Sequence, residues 1–258
     1  MRFRPCIDIH NGKVKQIVGA SLKDTGDQAA ENFVSDKSAA DFAKLYKKYG
    51  LKGGHVILLN GKESGYYEET KKQALSALTA YPGGLQAGGG ITADNAAEFL
   101  RAGASHVIVT SYVFQGGEIR KENLERLVRA VGRQHLVLDV SCKRREDGYY
   151  IVTDRWQRET AVQITPDLLD ELSAYCDEFL IHAVDVEGKK GGIEEMLIGE
   201  LAGWQGIPVT YAGGVRDLED LRKMRKAGGG RIDVTIGSAL SIFGGTLDFE
   251  MAVRYCNA

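Results

Sequence analysis

Along the chain, short runs rich in apolar and β-branched residues alternate with longer stretches whose apolar positions recur every three to four residues. This is the pattern of parallel strands joined by amphipathic helices. Eight such pairs follow one another, with strands expected at 3–9, 55–59, 85–88, 106–110, 135–139, 179–183, 208–212 and 232–237. Their helices are expected near 36–49, 67–80, 93–102, 121–132, 166–176, 193–203, 217–227 and 247–255. Eight βα units in 258 residues predict an α/β fold, a single (β/α)8 TIM barrel over residues 1–258, rather than an open sheet.

Chemical markers support several boundaries. Ser35 or Asp36 is placed to cap the first helix and Thr92 the third, while Thr165-Pro166 fits an N-cap followed by a first-turn proline. Gly50, Gly103 and Gly228 follow helices as stops. The two halves also echo each other. Gln86-Ala87-Gly88-Gly89-Gly90-Ile91 is matched by Thr210-Tyr211-Ala212-Gly213-Gly214-Val215, Arg101-Ala102-Gly103 by Lys226-Ala227-Gly228, and Val109-Thr110-Ser111 by Ile236-Gly237-Ser238. Agreement at nearly constant offset points to a duplicated half barrel. Two connections, 10–35 and 140–165, are too long to be simple turns and follow strands one and five, where barrel loops form lids. The second holds Gly148-Tyr149-Tyr150-Ile151-Val152 and Trp156, a composition suited to a hairpin that presents an aromatic side chain over the mouth.

Composition narrows the class of ligand. Lys and Arg number 33 against 35 Asp and Glu, for a net charge of -2, so no basic field draws in nucleic acid or a membrane surface. A small-molecule substrate is expected, for a monomer. The four cysteines are scattered without a CxxC pair or metal-ligand spacing, which suits reduced thiols and a cytoplasmic location. The first apolar run begins after two residues, leaving no room for a signal or transit peptide, and no apolar run is long enough to span a membrane.

The candidate chemistry sits at strand ends. Asp8 closes the first strand and Asp139 the fifth, equivalent places in the two halves, so their carboxylates face each other across an eight-stranded ring. Two carboxylates in different surroundings serve as acid and base, which suits isomerisation of a sugar. Gly89-Gly90 with Thr110-Ser111, and Gly213-Gly214 with Gly237-Ser238, form two phosphate cradles of amides and hydroxyls. Two cradles on opposite sides predict a bisphosphate. Cys6 shares the inward face of Asp8 and reads more readily as a core residue than as a nucleophile. His10 and His182 lie where they either touch a ligand or pack, whereas His55, His106 and His135 begin strands, at the end remote from chemistry, and receive no role.

Taken together, these motifs resemble the HisA family of histidine-biosynthesis isomerases, phosphoribosylformimino-5-aminoimidazole carboxamide ribotide isomerases, along the whole chain. The resemblance is carried by Pro5-Cys6-Ile7-Asp8-Ile9-His10-Asn11-Gly12-Lys13-Val14, Ala87-Gly88-Gly89-Gly90-Ile91, Leu138-Asp139, Trp156, Ala212-Gly213-Gly214-Val215 and Ile236-Gly237-Ser238-Ala239-Leu240. Tyr175 to Ala183 and Ser238 to Gly245 are similar to the eukaryotic-type branch. The resemblance implies an aldose–ketose isomerase, which carries out an Amadori rearrangement of the aminoaldose ProFAR to the aminoketose PRFAR. By the same likeness Asp8 is the base, Asp139 the acid, and Trp156 a loop residue that stacks on substrate; no metal or organic cofactor is expected.

The chain departs from the bacterial pattern after strand six. Ala183-Val184-Asp185-Val186-Glu187-Gly188 lacks a Thr, whose assisting role passes to Asp185 or His182 or is dispensable. Gln16 stands near where bacterial relatives place an Arg. The sister cyclase, HisF, shares both phosphate sites and both aspartates, but Trp156 and the strand-six and strand-eight motifs favour the isomerase. A sugar-phosphate sensor would have no need of two facing carboxylates. A phosphoribosyl anthranilate isomerase would use Cys6 with an aspartate.

Overall fold

The structure, a computed structural model, describes residues 1–17, 21, 29–154, 156, 158–186 and 191–258. Parts of the first long loop (18–20 and 22–28) and Glu187-Gly188 of the strand-six motif lie outside the described residues. The barrel strands are β1 (Cys6–His10), β2 (Gly54–Leu58), β3 (Leu85–Gly88), β4 (Val107–Val109), β5 (Leu136–Arg145), β6 (Glu178–Ala183), β7 (Val209–Ala212) and β8 (Asp233–Thr235). Between and after them run α1 (Ala39–Lys48), α2 (Tyr67–Ala80), α3 (Ala96–Arg101), α4 (Lys121–Val131), α5 (Pro166–Ser173), α6 (Glu195–Gly203), α7 (Leu218–Ala227) and α8 (Phe249–Asn257).

Each barrel strand pairs in parallel with the next, from β1 through β8. The ring then closes on itself: Phe3 bridges Val234 in parallel, the Arg4 N–H donates to the Val234 carbonyl at 2.8 Å, and the Val234 N–H donates to the Arg2 carbonyl at 3.0 Å. The eight strands thus form a closed ring, and the expected (β/α)8 barrel is the architecture observed.

Strand alternation divides the apolar side chains between two cores. Ile7, Ile9, Val56, Leu58, Val107, Val109, Leu138 and Ile181 point outward and are buried under the helices. A smaller group, Ile108, Val137, Leu180 and Ala212 with Ile57 packed against it, fills the inside of the ring. Below it the floor is polar. Gln86 Nε2 and Thr210 Oγ1 donate to the two carboxylate oxygens of buried Glu178 at 2.9 and 2.6 Å, and Arg4 lies 3.6 Å from the same carboxylate. Arg4 Nε also donates to Asp233 at 2.9 Å. Buried charges persist when paired and hydrogen-bonded, and this network seals the end of the barrel away from the long loops.

Local chemistry shifts two helix starts. The first helix begins at Ala39, after Ser38, because Ser38 and Asp41 form a reciprocal capping box. Ser35 instead accepts the Lys37 N–H at 3.0 Å. Thr92 opens a turn by accepting the Asp94 N–H, and α3 starts later, after Asn95. Thr165 caps α5 as expected, accepting the Leu168 N–H at 3.2 Å with Pro166 in the first turn.

The long connections build the rim. After β1 the chain reverses at Asn11-Gly12, whose φ angles of 52° and 71° make the tight turn that Asn-Gly favours. It returns antiparallel to β1 as Lys13–Ile17, which pairs in turn with Glu31–Val34. After Asp139, β5 runs on to Arg145 and folds back as Gly148–Thr153 and Arg158–Gln163, an antiparallel meander with a bulge between Tyr150 and Val152. Tyr149 anchors the meander, buried and donating to Glu194 at 2.9 Å. The hairpin expected here is thus present, with Trp156 in its turn.

Candidate active site

A cavity of about 450 Å³ opens where the barrel strands end. Its lining contains Asp8 and Asp139, together with Gly89, Gly90, Thr110, Ser111, Trp156, His182, Gly213, Gly214, Gly237 and Ser238. The sequence positions singled out in both halves therefore converge on one space, with Asp185 outside it. Asp185 sits on the turn after β6, where its carboxylate accepts the Arg144 N–H at 2.9 Å. Of the two residues considered for the role of the missing Thr, His182 enters the cavity and Asp185 closes the end of β5.

The ring order sets Asp8 and Asp139 on opposite strands, β1 and β5. Asp8 receives Gln16 Nε2 at 3.3 Å, and the same amide nitrogen lies 3.6 Å from Cys6 Sγ. Gln16 is buried, brought back beside β1 by the Asn11-Gly12 turn. Asp139 receives Thr110 Oγ1 on one oxygen at 3.1 Å and has His182 Nδ1 2.8 Å from the other. Thr110, expected to cradle phosphate, lines the cavity, and its hydroxyl donates to Asp139. Trp156 adopts φ of 68°, an unfavourable conformation for a non-glycine residue. Its indole donates to Ser141 at 3.0 Å, and its ring centroid lies 6.5 Å from that of His182.

The glycine turns are fixed by close approach. A Cβ on Gly89, at φ +97°, would sit 2.1 Å from the Leu58 carbonyl oxygen. One on Gly214, at φ +72°, would sit 2.0 Å from that of Gly192. Only glycine fits either place, so each half presents bare backbone to the cavity, the surface that anion recognition by amides needs.

His55 corrects the sequence reading. It was assigned to the end remote from chemistry, yet it lines the cavity. The barrel strands are short, and His55 stands opposite Cys6, only two residues below the Asp8–Ile57 pair. Burial pulls its pKa down to about 3, so the ring is neutral at physiological pH. His10 is buried outside the cavity lining, as are Cys142, Cys176 and Cys256, whose thiols are pushed up by burial, to about 12 for the last two. Asn60, Lys62 and Tyr67, which follow β2, also reach the cavity. Their position after a barrel strand was the available signal.

A closed eight-stranded barrel whose cavity at the strand ends is lined by two opposed carboxylates and two glycine turns has the layout of a (β/α)8 enzyme. The chain belongs to the family of histidine biosynthesis proteins, matched over residues 2–247. Among similar proteins is the chloroplastic 1-(5-phosphoribosyl)-5-((5-phosphoribosylamino)methylideneamino) imidazole-4-carboxamide isomerase of Medicago truncatula, 54% identical over 261 residues, covering 100% of this chain and 82% of the relative. The isomerase of the same name from Neurospora crassa is 47% identical over 247 residues, 95% of this chain and 93% of its own. That of Saccharomyces cerevisiae is 41% identical over 262 residues, with 98% and 97% covered. Among the described residues no helix is long and apolar enough to cross a membrane.

Proposed function

We propose that this chain catalyses the Amadori rearrangement of a phosphoribosylamino-methylideneamino imidazole carboxamide, converting the aminoaldose to the aminoketose, with Asp8 as base and Asp139 as acid. One observation carries the reading. Two carboxylates on opposite strands share a cavity with two glycine turns, one from each half, so a ligand with a phosphate at each end spans the mouth and offers its reacting carbons between the carboxylates.

The chemistry needs two proton transfers. Protonation of the ribose ring oxygen breaks its bond to C1 and leaves an iminium between C1 and the substituent nitrogen. Asp8 then takes the proton from C2, and the electron pair forms the C1–C2 double bond while neutralising the iminium nitrogen. Return of a proton to C1 and loss of the C2 hydroxyl proton give the ketone. No atom is gained or lost, so acid–base groups alone suffice. Trp156, held by Ser141, offers its ring as a stacking face for the imidazole carboxamide. The protein works as a monomer in a reducing, cytoplasmic setting; its four cysteines are buried free thiols, and sedimentation and cell fractionation test these two points.

The experiment is direct. Purified protein given the aminoaldose, without ammonia, added metal or another protein, is expected to convert it fully to the aminoketose, followed by absorbance and mass-neutral chromatography. Lack of turnover overturns the assignment.

A further inference from the structure

Within that isomerase reading, we infer that Asp154 is a positioning residue for Trp156: held by the Gly116-Gly117 turn after β4, its carboxylate fixes the place at which the indole meets the ligand. Two elements remote in sequence build this catch. After β4, Phe114–Gln115 and Glu118–Ile119 pair antiparallel, joined by Gly116 and Gly117 with φ of 65° and 83°. Positive φ at both central residues makes the tight hairpin turn that Gly-Gly favours. The amides at its tip are used outside the hairpin. The Gly116 N–H donates to the Asp154 carboxylate, at 3.2 Å to one oxygen and 3.4 Å to the other. The Gly117 N–H donates to Thr153 Oγ1 at 3.3 Å, and Thr153 Oγ1 donates to Asp154 Oδ2 at 3.1 Å. The hairpin tip thus grips the meander after β5 beside the point where it delivers Trp156 to the cavity.

Backbone geometry supplies independent support. Asp154 has φ of 54° and Trp156 φ of 68°, both left-handed. Aspartate enters that region more readily than most residues, but a bulky indole does not, so Trp156 needs support from outside its own segment. Ser141 Oγ provides one anchor by accepting the indole N–H at 3.0 Å. The Gly116-Gly117 turn provides the other, two residues back along the chain. Its base is firm. Phe114 is buried, the Arg120 N–H donates to the Val113 carbonyl at 2.8 Å, and Asn123 on α4 donates to the Tyr112 carbonyl at 2.7 Å. The hairpin therefore ties the meander to α4, and a ligand that stacks on Trp156 meets a ring already held in place, which lowers the ordering cost of binding.

The test combines turnover with a signal read without substrate. Asp154→Gly removes the carboxylate and leaves the left-handed backbone free of strain, whereas Asp154→Asn keeps an acceptor for the glycine amides. Asp154→Gly is expected to raise KM about fivefold or more with kcat within about threefold of wild type, and Asp154→Asn to stay within about twofold in both. In a Trp156→Ala background, Asp154→Gly is expected to change KM by less than about twofold, because a residue that acts through Trp156 then has nothing to position. Fluorine NMR of protein labelled with fluorotryptophan follows the chain's two tryptophans directly. The Trp156 resonance, assigned by its loss in Trp156→Phe, is expected to shift in Asp154→Gly and to keep its place in Asp154→Asn, while that of Trp204 stays fixed in both. An unmoved Trp156 resonance, an additive loss in the double variant, or an Asp154→Asn protein as impaired as Asp154→Gly overturns the inference and leaves the isomerase reading standing. Absence of wild-type turnover overturns that reading, and the fluorine signal still decides whether Asp154 positions the indole.

Discussion

The two halves of the barrel place a carboxylate at the same level and surround it differently. In the second half Asp139 stands between Thr110 on β4 and His182 on β6, both within hydrogen-bonding distance. In the first half the corresponding neighbours of Asp8 are Gly237 after β8 and Leu59 after β2. Gly237 provides room rather than a hydroxyl: a Cβ there would lie 2.3 Å from Gln16 Oε1, and the Gln16 amide fills that space to donate to Asp8. Among the described residues, a repeated backbone thus sets Asp139 beside Thr110 and the His182 ring, and Asp8 beside the Gln16 amide. Different surroundings of this kind suit the acid–base pair proposed above, because two identical sites would compete for the same protonation state.

The largest test of this comparison removes the carboxylates one at a time. Asp8→Asn and Asp139→Asn are each expected to lower kcat by about 10³ to 10⁴, or about 4 to 5.5 kcal/mol, with bisphosphate binding measured by calorimetry little changed. Near-normal kcat in either variant breaks the pairing.

The next test concerns what lies beneath each carboxylate. His55 occupies the level in the first half that Glu178 holds in the second, two residues before Ile57 and Leu180 respectively. The folded state keeps His55 neutral at a pKa of about 3 against 6.5 when unfolded, so the unfolded chain binds the extra proton between those values. Stability from this group is complete above about pH 6.5 and declines as pH falls toward 3, by about 1.4 kcal/mol per pH unit. Urea unfolding at pH 7 and 4.5 is expected to show that loss in wild type and a shallower one in His55→Gln. An equal slope in both proteins would remove His55 from the acid response.

A smaller effect is expected from the meander after β5, which carries Trp156 to the cavity. Trp156→Ala is expected to raise KM by about 10- to 30-fold, or about 1.4 to 2 kcal/mol, through lost stacking. The smallest concerns the neutral side. Gln16→Leu removes the amide from Asp8 and is expected to cost about tenfold in kcat, near 1.4 kcal/mol, with little change in KM. If Gln16→Leu proved as damaging as Asp8→Asn, the amide would matter as much as the carboxylate it serves and the contrast between the halves would fail.

Much of this was legible in the chain. Alternating β and helical periodicities gave eight units, and Asp8, Asp139 and the paired glycine turns fell at strand ends because a parallel barrel exposes those ends by construction. Trp156 was recognisable from an aromatic hairpin in a loop too long for a connection. These features depend on neighbours in sequence and on a repeat, both written in residue order.

Contacts between separate strands depended on stagger and side-chain reach, which residue order does not encode. The sequence placed His55 at the remote end, and the shortness of the strands brought it to the cavity. Thr110 was placed in a cradle by its sequence neighbours, and only the setting of β4 beside β5 showed that its hydroxyl also reaches Asp139. Asp185 and His182 were equivalent candidates three residues apart, and only the turn after β6 sent one to the Arg144 amide and the other into the cavity. The sequence by itself determined the barrel, the echo between its halves and the positions of the two aspartates, because each follows from local pattern. The tertiary structure decided which partner each aspartate meets, because hydrogen bonds over about 3 Å are set by how neighbouring strands register against one another.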